Sequence, residues 1–217
     1  LGQLNFFYEV FIPLLILMRK QEKRSLPILR LAAVVALSAP LAFMPFFEIG
    51  PFGMSYLICL ALAFLAGLFI FKVSALDVLF YVVEAFAIQH LMWDLLFIIY
   101  ESIGLINRAI ALSIYIPMYI GMYVLMLCFF PVSDSKNGGA KGRITEFVIA
   151  LLTICFTYII SSLIPWYSEW NILYRLYVLL CCTFVIVLQC GVLVHSKLKE
   201  RNRALEQDKI VLEELLS

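Results

Sequence analysis

Apolar and polar positions fall into long blocks along this chain instead of alternating. Seven apolar stretches run over Leu4–Met18, Leu26–Phe47, Met54–Phe71, Val78–Tyr100, Ala109–Phe130, Glu146–Pro165 and Leu176–His195. A membrane-crossing helix needs about 20 apolar residues, because in hydrocarbon every backbone N–H and C=O must be paired within the segment. None of the blocks shows the ten-residue alternation of a transmembrane strand. The pattern predicts an all-α membrane protein, a bundle of six to seven transmembrane helices over residues 1–195. The first stretch is the shortest. A polar, charged tail over 196–217 forms a second unit.

Composition agrees with that expectation. Hydrophobic residues make up 64% of the 217 and charged residues 14%, against roughly 45–50% and about 25% in soluble domains. The formal net charge is +1, which leaves no bulk basic field for nucleic acid. The placement of the charges carries more than their sum. Arg19, Lys20, Lys23, Arg24 and Arg30 surround the first linker, Lys72 the third, and Lys136, Lys141 and Arg143 the fifth. Lys197, Lys199, Arg201, Arg203 and Lys209 follow the last stretch, making fourteen cations on one set of linkers against Arg108 and Arg175 on the other. The positive-inside rule then puts the N-terminus outside a cell membrane and the C-terminus in the cytoplasm. The opening has no basic leader and Glu9 interrupts its apolar run, so it is not read as a cleavable signal.

The outer linkers differ in kind. Glu48–Gly53 and Glu101–Arg108 are short, while Pro165–Tyr174 carries Trp166, Tyr167, Trp170 and Tyr174. Aromatics of this type form an interfacial belt, or the rim of a site for an apolar or peptide ligand. The six cysteines all lie within apolar stretches, show no CxxC or metal spacing, and read as small packing residues. Gly138-Gly139-Ala140-Lys141-Gly142 lacks the ending of a phosphate loop.

Ionisable groups inside spans are costly and mark function or helix–helix contacts. The first stretch holds Glu9; the fourth holds Glu84, Gln89, His90 and Asp94. At 100° per residue His90 and Asp94 share a face, and Glu84 lies about 80° from Asp94. Three readings stay open: an interhelical clamp in which Asp94 orients His90, a ligand-sensing core, and a proton relay or metal site. One His with scattered acids falls short of a catalytic zinc set, so no metal site is expected. HExxH, GxSxG and other nucleophile–base signatures are missing, so no catalytic residue is expected either.

The tail changes the question. Ser196–Ser217 has no Gly or Pro and is rich in helix formers. Leu198, Leu205 and Leu212 recur every seven residues; taken as d positions, they put Asn202, Lys209 and Leu216 at a. The tail is therefore expected to be a cytoplasmic coiled coil, with a solvated amphipathic helix as the alternative. No breaker separates it from the seventh stretch, so span and tail are expected to form one rod, leading into an output domain beyond Ser217.

A multi-span region whose last span flows into Lys199-Glu-Arg-Asn-Arg-Ala-Leu-Glu-Gln-Asp-Lys209…Leu212-Glu-Glu-Leu-Leu216 resembles the sensor region of GHKL-type sensor histidine kinases of Gram-positive bacteria. That group includes peptide-pheromone receptors of the Agr and Com type. The Gln89-His90 pair on the fourth stretch and the opening Phe6-Phe7-Tyr8-Glu9 are similar to what such members carry. The resemblance implies a homodimer, a dimerisation helix bearing a phospho-acceptor His, and an ATP- and Mg-binding output domain that serves a response regulator. No His follows His195, so no residue here takes the phospho-acceptor role, and no cofactor is expected in this chain. The expected function is the membrane input domain of a two-component system. Its sensing candidates are Glu9, Glu84, Gln89, His90, Asp94 and the four outer aromatics. A small transporter or channel subunit is the alternative, with the stripe on the fourth stretch as its pathway. An intramembrane enzyme ranks last.

Overall fold

The computed structural model describes residues 2–43, 54–103, 108–129, 148, 151–152, 155 and 171–216. The described residues are all-helical apart from their linkers. Its helices are α1 (Gly2–Leu17), α2 (Pro27–Ser38) with a 3₁₀ turn over Ala39–Ala42, α3 (Met54–Ile70), α4 (Ala75–Ile103), α5 (Arg108–Phe129) and α6 (Asn171–Leu216). Among the described residues the one strand-like pairing is an isolated antiparallel bridge, Lys23 with Phe71. The first, third, fourth and fifth apolar stretches coincide with α1, α3, α4 and α5 to within a few residues. The second is cut short, because Pro40 cannot continue the α-helical hydrogen-bond ladder and the chain tightens into the 3₁₀ turn. The sixth lies almost wholly outside the described residues.

Length and hydropathy together single out Ala75–Tyr100, 26 residues of α4, as the described stretch able to cross a membrane. The other apolar helical stretches, Leu4–Leu17, Pro27–Ala42, Ile58–Ile70, Ser113–Cys128 and Arg175–Leu188, are shorter. α4 is also the centre of the fold. It packs against α1, α3, α5 and most extensively α6, and every residue from Phe80 to Gln89 is buried. A helix enclosed on all sides has no polar face to spare, which is why the run Val78–Phe86 is apolar save for one acid. Its start is fixed by Ser74. The Ser74 hydroxyl oxygen accepts from the Asp77 backbone N–H at 3.2 Å, and the hydroxyl donates to Asp77 Oδ2 at 2.6 Å, an N-cap arrangement worth about 1 kcal/mol.

Helix direction alternates, and one end collects the cations. The C-terminal ends of α1, α3 and α5 meet there with the starts of α2 and α4. Arg19 donates to the carbonyls of Ile16 (2.9 Å) and Leu127 (3.1 Å). Arg24 donates to those of Leu68 and Phe71, both at 3.1 Å. Arg30 donates to Phe69 O at 2.9 Å and sits 4.7 Å over the Phe69 ring. Three guanidiniums thus satisfy terminal carbonyls that have no partner within their own helices, at the negative ends of the helix dipoles. Leu26, at φ 56°, turns the chain into α2 ahead of Pro27.

Close approach of α3 to α4 requires Gly67. A Cβ at that position would stand 2.6 Å from Val78 Cγ1 and 3.6 Å from Leu14 Cδ2. Val78 is β-branched and stiff, so it yields little. Gly67→Ala should therefore destabilise the fold by about 1–2 kcal/mol in a denaturant titration, overpacking outweighing the gain in helix propensity. The double variant with Val78→Ala should cost less than the two single changes added.

Candidate functional site

Buried polar groups concentrate on α4, and the structure divides the expected stripe between two faces. Gln89 lies about 140° around the helix from Glu84, and it turns toward α1. Its Nε2 donates to Glu9 Oε2 at 2.9 Å, within the core. The other Glu9 oxygen accepts from Asn5 Nδ2 at 2.5 Å and from the Tyr115 hydroxyl of α5. Asn5 Nδ2 is also 2.9 Å from that hydroxyl. Glu9 is only 4% exposed, so α1, α4 and α5 enclose a carboxylate that takes three neutral donors. Tyr115, Tyr119 and Tyr123 follow one another on α5, with ring centroids 4.6 and 6.1 Å apart.

The second face meets α6. Arg175 Nη1 is 3.0 Å from Asp94 Oδ1, and both side chains are nearly inaccessible, at 5% and 6% exposure. Three turns along α4, Glu84 is fully buried, and the Cys190 thiol of α6 reaches its Oε1 at 3.9 Å. The contacts 94–175 and 84–190 set α6 antiparallel to α4 and fix its register. His90 does not join Asp94, although the two share a face. Its ring meets the Phe86 ring edge-on at 4.3 Å, while Asp94 bonds to the arginine. A neighbouring helix offers a full opposite charge, which outcompetes the neutral imidazole one turn away.

Of the expected sensing residues, the structure joins Glu9 with Gln89 in one cluster, and puts Asp94 and Glu84 at successive contacts with α6. Trp166, Tyr167 and Trp170 lie outside the described residues. Tyr174 falls in the first turn of α6, its side chain outside the described set. Leu198, Asn202, Leu205 and Lys209 are exposed on α6, and Leu212 and Leu216 belong to the same helix. Sequence reasoning passed over Arg175, grouped with the outer linkers, and Asn5, Tyr115 and Cys190. For Tyr115 a signal was present: tyrosines at 115, 119 and 123 are spaced i, i+4, i+8 and must share a face.

α6 is the longest element, 46 residues without interruption. Where Cys190 meets Glu84, α4 has nine residues left to its start at Ala75 and α6 has 26 left to Leu216. At about 1.5 Å per residue, α6 therefore runs some 25 Å beyond the cationic end of the bundle. No family model matches the chain, and neither the curated proteins nor the solved structures contain a match.

Proposed function

We propose that this chain is the membrane-embedded input unit of a GHKL-type sensor histidine kinase, a bundle of six to seven spans that passes a signal to a cytoplasmic kinase. The observation that carries the reading is the geometry of α6. One end of that helix is held by a buried ion pair to the central helix, and the other projects past the bundle as an unbroken rod. A rigid helix converts a small shift at its held end into a rotation or translation at its far end, the kind of two-state element that signalling requires.

Lipid contact is supported by the outer surface. Among the described residues, large apolar side chains stand exposed on the peripheral helices: Ile28 at 83% and Leu37 at 75% on α2, Leu180 at 67% on α6, with Leu65 and Ile120 on α3 and α5. Surfaces facing water seldom carry apolar patches of this extent. The gathering of Arg19, Lys20, Lys23, Arg24, Arg30 and Lys72 at the end from which α6 projects supports a cytoplasmic location for that end. α5 finishes there and α6 begins at the opposite end, the arrangement a sixth span between them requires. Leu198, Leu205 and Leu212 supply the seam of a homodimer along the projecting rod, and the signal, peptide or small apolar molecule, enters at the outer mouth.

Grafting residues 1–217 onto a complete kinase output provides the test. Leu205→Asp with Leu212→Asp should abolish the regulated change in autophosphorylation while the bundle keeps its thermal stability. Unaltered regulation would remove the rod from the signalling path.

A further inference from the structure

Three acids are buried in the described part of the bundle, and their surroundings differ. Asp94 has Arg175. Glu84 has neither a cation nor a set of donors, only the Cys190 thiol at 3.9 Å. Glu9 has a complete donor cradle, Asn5, Gln89 and Tyr115, yet no cation approaches it among the described residues. A carboxylate supported in this way is prepared to carry charge, and a buried charge of one sign calls for its opposite.

A second observation shows where that opposite charge would sit. Gln89 is 97% buried by its 3% exposure, and its Oε1 has no hydrogen-bond partner. An orphaned buried acceptor is unusual and costly. Because the amide is planar, with C–N and C=O bonds of about 1.3 and 1.2 Å, Oε1 lies no more than about 5 Å from Glu9 Oε2. Among the described residues the one hydrogen bond drawn to that oxygen comes from the same amide, and the buried, unpartnered Tyr119 hydroxyl interacts with the same carboxylate. Two acceptors thus stand side by side, an amide oxygen without a partner and a carboxylate oxygen with room for a further donor. A group with several N–H donors and a positive charge matches them; a metal cation does not, because the three cradle groups already point donors at the carboxylate. Tyr115, whose hydroxyl reaches Glu9, is followed along α5 by the rings of Tyr119 and Tyr123. Asn5 is exposed, so the cluster opens near the start of α1, at the end away from the cations.

We propose that Glu9 Oε2 and Gln89 Oε1 form a receiving site for a protonated primary amine, supplied by a free amine-bearing ligand or by an ethanolamine lipid headgroup. This deepens the sensor reading, on which the role of the site as an input rests. The amine binding itself is measurable apart from any signalling.

The test uses the whole 217-residue chain in phosphatidylcholine nanodiscs, titrated calorimetrically with phenethylammonium against empty discs. The neutral isostere 2-phenylethanol serves as control. Binding of the amine should be at least tenfold tighter than that of the alcohol, and Glu9→Gln should abolish the difference. Gln89→Met, which keeps the carboxylate and deletes the orphaned acceptor together with the Nε2 donor to Glu9, should weaken the amine about fivefold or more, and it carries the test if Glu9→Gln does not fold. Equal binding of amine and alcohol, or full retention of amine binding in Gln89→Met, overturns the site. Discs containing phosphatidylethanolamine separate the sources. Competition with the probe identifies the headgroup, and unchanged affinity identifies a free amine. Amine binding with no response in the kinase chimera would remove the sensor reading and leave the site standing. Regulated chimeras with no amine binding would do the reverse.

Discussion

Arg175→Met is expected to lower the stability of the bundle by about 3 kcal/mol, the largest effect of any single substitution described. Removing one member of a buried ion pair leaves the other as an unpaired charge in a low-dielectric interior, a loss of roughly 3–5 kcal/mol in proteins generally. The lower figure follows from the proposed membrane setting, in which polar groups of a bilayer-embedded unfolded state find other partners. Exposures of 5% and 6% leave little screening to reduce it further. Asp94→Asn should be milder, since an amide still accepts from the guanidinium. The double variant Asp94→Leu with Arg175→Met should recover most of the loss, because apolar groups of similar volume replace a buried pair at little cost. Unfolding in increasing detergent denaturant, followed by circular dichroism, measures all three. A double variant no more stable than Arg175→Met alone would mean that the two side chains are not coupled. The same pair sets the register of α6 on α4, so the variants should also alter what the far end of α6 does.

Ser196→Pro is expected to break the rod while sparing the bundle. A proline inside a helix removes one backbone hydrogen bond and collides with the carbonyl four residues earlier, at a cost of about 3 kcal/mol. Ser196 lies beyond the contacts at 175 and 190, so both stay in place, and the cost falls on the last turns of α6 beside the start of α4 and on the segment that projects from them. Spin labels at exposed Val187 and Leu205 should report about 27 Å in the unmodified helix, eighteen residues at 1.5 Å each. In the proline variant the distance distribution should shorten and broaden, and thermal unfolding of the bundle should change by less than about 1 kcal/mol. In the kinase chimera the same substitution should abolish regulation. A narrow distribution near 27 Å in the variant would show that the helix absorbs the proline and that continuity is not the critical property.

Much of this architecture was legible in the chain, for a physical reason. Helices that bury or expose apolar surface along their whole length need long apolar runs, and the limits of α3 and α5 follow from where those runs stop. The continuity of α6 was legible because nothing between Val192 and Lys197 breaks a helix. The site was legible only in part. Periodicity identifies residues that share a face, as with His90 and Asp94, but it does not reveal the partner on the next helix. Arg175 therefore went unrecognised: near the mouth of the bundle it reads as a linker cation, and only the packing of α6 on α4 turns it inward. Gln89 and Glu84 read as one stripe because they are close in sequence, yet 140° of helical rotation sends them to different neighbours. Tyr115 acquires meaning only through Glu9, across more than a hundred residues of chain, and Asn5, one turn before Glu9, only once both are seen to converge on that carboxylate.

The arginines at the cationic end have a consequence that concerns time as much as space. On the proposed topology, Arg19, Arg24 and Arg30 would hold the first linker on the cytoplasmic side during insertion, a decision taken before the helices have packed. In the folded protein their guanidiniums have been reassigned to the carbonyls of Ile16, Leu68, Phe69, Phe71 and Leu127. Lysine would serve the earlier task equally well, since orientation depends on charge alone. It would serve the later one poorly, because an ammonium lacks the planar fork with which Arg19 reaches the carbonyls of Ile16 through Nη1 and Leu127 through Nη2. On that topology orientation and assembly would draw on the same three side chains at different moments, and exchanging them for lysines would separate a chain that inserts the right way round from one that also closes.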